Sequence, residues 1–169
     1  MSEDGKKLEK LLIEGHYAEA ISFAKRMDKS EAAMILNDAA VSLRSEAGVE
    51  DIPDIELLFR AALRLQPENA IIHYNLGLLL SEPEVLAANP EFLTKAERCF
   101  LRAIELDPTL KAAHYNLALL YAYTARLEDA EKIYESLMKE GVENEEWLNN
   151  LKKVIEEQRE KGKNGTTQT

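Results

Sequence analysis

The tetrapeptide His-Tyr-Asn-Leu occurs twice, at His73–Leu76 and His114–Leu117, 41 positions apart. Each copy follows a proline at the same distance, Pro67 and Pro108, and each precedes an alanine with an aromatic four residues on: Ala96 with Phe100, Ala130 with Tyr134. Recurrence on this scale constrains the fold strongly. A supersecondary unit that cannot bury its apolar face alone must stack against copies of itself.

The spacing inside the units is helical. Leu117, Leu120 and Tyr121 share one side of a helix expected over residues 109–124. Ala130, Ile133, Tyr134 and Leu137 follow at i, i+3, i+4, i+7 on a second helix expected over 127–140. Ala125-Arg126 makes the turn between them, and Gly141 supplies a stop. The preceding unit is longer, the excess lying in Ser81–Asn89, after which Asn89-Pro90-Glu91 reads as a helix restart.

The series His73-x2-Leu76-Gly77-x2-Leu80, Ala96-x3-Phe100, Pro108, His114-x2-Leu117-Ala118-x2-Tyr121, Ala130-x3-Tyr134 resembles the tetratricopeptide repeat, a helix pair of about 34 residues. Gly15-x-Tyr17-x-x-Ala20 matches the family's inter-helix turn, which makes 6–14 and 17–27 a degenerate first pair. The resemblance implies an all-α fold, a right-handed α-solenoid of antiparallel helix pairs. The expected organisation is a flexible start at 1–5 and one repeat domain over 6–162. Its repeats fall at 6–28, 31–67, 68–108 and 109–142, closed by a C-terminal capping helix at 143–161. Trp147, Leu148, Leu151, Val154 and Ile155 lie on one face of that helix, Trp147 being expected to cover the flank of 127–138. Residues 163–169, without an apolar anchor, read as a disordered tail.

Charge narrows the partners. A net charge of −10 opposes binding to a phosphate backbone. No segment has the apolar length of a membrane span, no secretory leader is legible, and Cys99 is the sole cysteine, so a cytoplasmic setting is expected. His73 and His114 occupy equivalent positions where the family often has tryptophan, which favours packing between helices over metal binding; closely spaced Cys/His sets are absent. Cys99 lies near Arg98 and Arg102, yet no histidine or second cysteine accompanies it. Neither a phosphate loop nor a nucleophile elbow is present. No catalytic residue, cofactor or metal is expected.

What remains is surface. In proteins with this repeat the first helix of each pair lines a concave groove. Carried over, the groove residues are Tyr74, Asn75 and Leu78 from one repeat, and Tyr115, Asn116, Leu119 and Tyr123 from the next. The tyrosines and leucines would form an apolar stripe, with the asparagines as hydrogen-bonding groups beside it. Tyr74 and Leu78 stand where a clamp for chaperone-tail carboxylates would need Lys and Asn, so that mode is disfavoured. The leading expectation is a non-enzymatic adaptor taking an apolar peptide or amphipathic helix as protein partner, with self-association left open. A secretion-type or assembly chaperone is the alternative, and an enzyme on the same scaffold a remote one.

Overall fold

The computed structural model describes residues 1–45, 48–141 and 145–165, the side chains of 164 and 165 excepted. Every regular element among them is helical: α1 Glu3–Ile13, α2 Tyr17–Ala24, α3 Lys29–Arg44, a short 3-10 turn Val49–Asp51, α4 Ile52–Leu65, α5 Ala70–Leu80, α6 Pro83–Ala88, α7 Phe92–Leu106, α8 Lys111–Tyr123, α9 Leu127–Lys139 and α10 Glu145–Gly165. The chain divides into two compact units, Met1–Cys99 and Phe100–Thr169, where the sequence suggests one domain over 6–162.

In the first unit, α1 pairs with α2 and α3 with α4, and α3 also packs on α1 and α5. Side-chain caps set the helix starts. Asp28 accepts from the backbone N–H groups of Ser30 and Glu31, both at 3.0 Å, and Asn69 does the same for Ile71 and Ile72. The core is built from Leu8, Leu36, Ile55, Leu58, Phe59, Ile72, Leu79 and Leu80, all fully buried. Ala20, Ala24, Ala32, Ala33, Ala40 and Ala62 are buried among them, and their small size lets helix axes approach closely.

Two expectations change here. The start of the chain, expected to be flexible over 1–5, belongs to α1: Ser2 caps the helix through its hydroxyl, which accepts from Gly5 N–H at 2.9 Å. Ser2 also donates from its backbone N–H and its hydroxyl to the two oxygens of Glu31 on α3, at 2.7 and 2.8 Å. The excess segment 81–89 is not a plain loop but contains α6, with Val85 buried, and the helix packs on α5 and the 3-10 turn. Glu82 at its start pairs with Arg44 at the end of α3.

In the second unit, α8 pairs with α9, and α10 packs on both. Phe100, Ala103, Ala113, Leu117, Ala118, Ala130, Leu137 and Leu151 form its buried interior. Leu148, Val154 and Ile155 of α10 are buried as well. The helix runs on through residues 163–165, which the sequence assigns to the tail; residues 166–169 lie outside the described residues.

Both histidines of the repeated tetrapeptide do the same job. His73 Nε2 lies 2.9 Å from the carbonyl oxygen of Pro67, and His114 Nε2 lies 3.0 Å from that of Pro108. Each ring ties the start of a first helix to the proline turn before it. That is a hydrogen-bonding role, where the sequence suggests interhelical packing.

Candidate interaction faces

The first helices α1, α3 and α5 of the first unit carry the residues of interest. On α5, Tyr74, Asn75 and Leu78 are each half-buried. Asn75 is committed inside the protein: its Nδ2 donates to Asn37 Oδ1 on α3 at 2.9 Å. Asn37, itself buried, donates in turn to Asp38 Oδ1 at 3.0 Å. The asparagine that the sequence offers to a ligand backbone therefore stitches two first helices together, an arrangement buried polar groups require.

Between α1 and α3 lies an open cleft of about 380 Å³, lined by Glu9, Leu12, Ile13, Ile35, Asp38, Ala39, Ser42 and Leu43. Sequence reasoning missed it, treating the first pair as degenerate. The sequence does carry a signal, the shared spacing of Gly15-x-Tyr17-x-x-Ala20 and Ala125-x-Leu127-x-x-Ala130, and the backbone follows it. Gly15 and Ala125 both have positive φ, +76° and +62°, and they close matching turns. The next residue in each case bonds back five positions, His16 N–H to Leu11 O at 2.9 Å and Arg126 N–H to Tyr121 O at 2.8 Å. Aligning the two turns makes Ile13 the counterpart of Tyr123 and Leu12 that of Ala122. The cleft thus reaches the helix position that the sequence singles out at the end of α8.

On α8 the named residues divide. Tyr115 is stacked against Trp147 of α10, with ring centroids 4.9 Å apart and planes 15° apart, and its hydroxyl accepts from Asn150 Nδ2 at 2.7 Å. The capping helix thus meets α8 through Trp147 and does not cover α9 alone. Asn116 turns its Nδ2 onto the Ala112 carbonyl of its own helix at 2.8 Å. Leu119 is half-buried, and Tyr123 is 61% exposed. A second, wider depression of about 730 Å³ runs along α10, bounded by Tyr115, Glu146, Trp147, Asn149, Asn150 and Lys153.

The chemistry of the remaining candidates is quiet. Burial pushes the Cys99 thiol up to about 11, Arg60 only partly opposing it, so the reactive thiolate is scarce at neutral pH. Among the described residues no three His, Cys, Asp or Glu side chains converge on a metal site, and no helix is long and apolar enough to cross a membrane.

A family model for the tetratricopeptide repeat matches residues 99–132, which span α8 and the closing turn with Ala125. Over that span the chain carries a tetratricopeptide repeat. Among solved structures, human IFIT1, in its dimer with PPP-AAAA, is similar at a TM-score of 0.57 and 23% identity, over 80% of this chain and 31% of that one. At that identity the likeness is one of fold, and this repeat protein spans under a third of the IFIT1 chain. A search of curated proteins finds no match.

Proposed function

We propose that this repeat protein is a non-enzymatic interaction module, an adaptor in a cytoplasmic setting that holds an apolar segment or amphipathic helix of a protein partner on its first-helix faces. The observation that carries this reading is where the chain leaves large apolar side chains in water. Ile13 is 86% exposed, Met34 57%, Ile71 47% and Tyr123 61%, one on each first helix of the four pairs. Large apolar groups left in water at the same element of successive repeats are a signature of an interaction surface. Tyr74, Leu78, Tyr115 and Leu119 add half-buried apolar area on the same helices, while Asn75 ties α5 to α3 and Asn116 bonds within α8. A polypeptide is favoured over nucleic acid because a chain of net charge −10 repels phosphates, although the similar solved structure carries PPP-AAAA.

The test is site-specific photo-crosslinking. A photoreactive residue at position 13, 71 or 123 should capture one defined polypeptide in cells of the source organism. The same group at Leu57, Leu101 or Met138, exposed apolar residues on second helices, should not. Equal capture from both sets, or capture from the second set alone, would defeat the proposal.

A further inference from the structure

The cleft between α1 and α3 is specific about what it can hold, and we infer that it takes a cationic amphipathic helix: an apolar stripe flanked by Lys or Arg. This inference rests on the interaction-module reading and names the partner's chemistry at one face. The floor is apolar, made by Leu12, Ile35, Ala39 and Leu43. Its volume of about 380 Å³ falls within the ~300–1,000 Å³ usual for binding clefts. Ile13 sits at its lip, almost wholly exposed.

The polar groups decide between an extended peptide and a helix. An extended strand brings unpaired N–H and C=O groups and needs both donors and acceptors from the wall. The wall supplies Glu9 and Asp38, acceptors only, and the hydroxyl of Ser42. The neighbouring amides, Asn37 and Asn75, are already spent on Asp38 and on each other. A helix satisfies its own backbone and asks the wall for none of this.

The charges decide the sign. Glu9 on α1 and Asp38 on α3 face the cleft from opposite walls, and among the described residues neither has an ion-pair partner. The cations of α1 are engaged elsewhere, Lys6 with Glu3, Lys7 over the Phe23 ring and Lys10 with Glu14. Two unneutralised carboxylates beside an apolar floor complement Lys or Arg flanking an apolar stripe, and they repel an acidic helix.

Three synthetic helical probes of about 18 residues, labelled with fluorescein and read by anisotropy, test this. One carries a Leu stripe flanked by Lys, one the same stripe flanked by Glu, and one the same Lys residues with Ser replacing Leu. The Lys–Leu probe should bind at least about tenfold tighter than either of the others. Its advantage over the Glu probe should fall to about threefold or less in the Glu9→Gln/Asp38→Asn variant, where the new amide oxygen still gives Asn37 an acceptor, and should shrink in high salt. Ile13→Ser, at a site too exposed to affect folding, should weaken the Lys–Leu probe about fivefold or more. Equal binding of the Lys–Leu and Glu probes, equal binding of the Ser probe, or a preference that survives neutralisation overturns the inference. If crosslinking from position 123 still captures a polypeptide, the module reading stands and only this assignment falls.

Discussion

Among the described residues, Ala125 is the one whose backbone least suits its side chain. Its φ of +62° places an L-residue in the left-handed region, at a cost of roughly 1–2 kcal/mol that glycine escapes. The chain accepts this because the turn must carry Arg126 N–H onto Tyr121 O, and Arg126 then lies over the Tyr121 ring at 3.9 Å from its centroid. Gly15 shows the unstrained solution in the equivalent turn. Ala125→Gly should therefore raise stability by roughly 0.5–1 kcal/mol, the relief exceeding the extra freedom given to the unfolded chain. A guanidinium melt with a lower midpoint for the variant would show that the strain is absorbed elsewhere. The same scale explains the fate of the predicted asparagines. Periodicity puts Asn75 on the right helix side, but a side chain 38 positions away takes its amide, and no local pattern announces that partner.

At the scale of elements, α10 shows how a stack is closed. Its apolar face is legible as a heptad-like run, and Leu148, Leu151, Val154 and Ile155 are buried as that run requires. Size alone makes Trp147 the main anchor. In the fold it is half-buried, lying flat on Tyr115, whereas Leu151 is fully buried in the helix that packs on α8 and α9. Leu151→Ala should cost about 3–4 kcal/mol through transfer and cavity terms. Trp147→Ala should cost only about 2 kcal/mol, since part of the ring is already in water. Denaturant midpoints in that order check the packing, and the reverse order would mean that α10 is rotated about its axis. The α6 segment follows similar logic. It packs on the 3-10 turn between α3 and α4, with Val85 buried and Glu82 paired to Arg44, so the two departures from the repeat length support each other.

Across the whole molecule the acidic surface sets the response to pH. Glu31 is held below its usual 4.5 by its hydrogen bonds from Ser2, first the backbone N–H and then the hydroxyl. Asp107, bonded by Thr109, and Asp129, bonded by Arg126, are held below their usual 3.8. A carboxylate depressed in the folded state contributes stability that is complete above its unfolded value and is lost as pH falls through the lower folded one. Protonation also relieves the repulsion of a net charge of −10, which acts in the opposite direction. The comparison of wild type with Glu31→Gln separates the two. Their difference in stability should be constant above about pH 5 and should close as pH falls below 4.5. A gap that persists unchanged to about pH 2 would mean Glu31 acts through geometry and not charge.

The sequence by itself determined the repeat. Two copies of His-Tyr-Asn-Leu at matching distances from prolines set the helix pairs and their turns. The alanines at 96, 103 and 130, all buried, mark where helices approach closely. These are properties of one helix and its immediate neighbours, and a 3.6-residue period encodes them directly. Only the tertiary structure decided which exposed positions remain open to a partner. Asn75 was taken by Asn37, Tyr115 by Trp147 and Asn150, and the start of the chain by Glu31, across separations of 38, 32 to 35, and 29 residues. The α1–α3 cleft stayed open because no such partner fills it among the described residues. A period says which side of a helix faces inward; which side chain from a distant helix arrives there depends on helix rotation and spacing, which are fixed only when the helices pack.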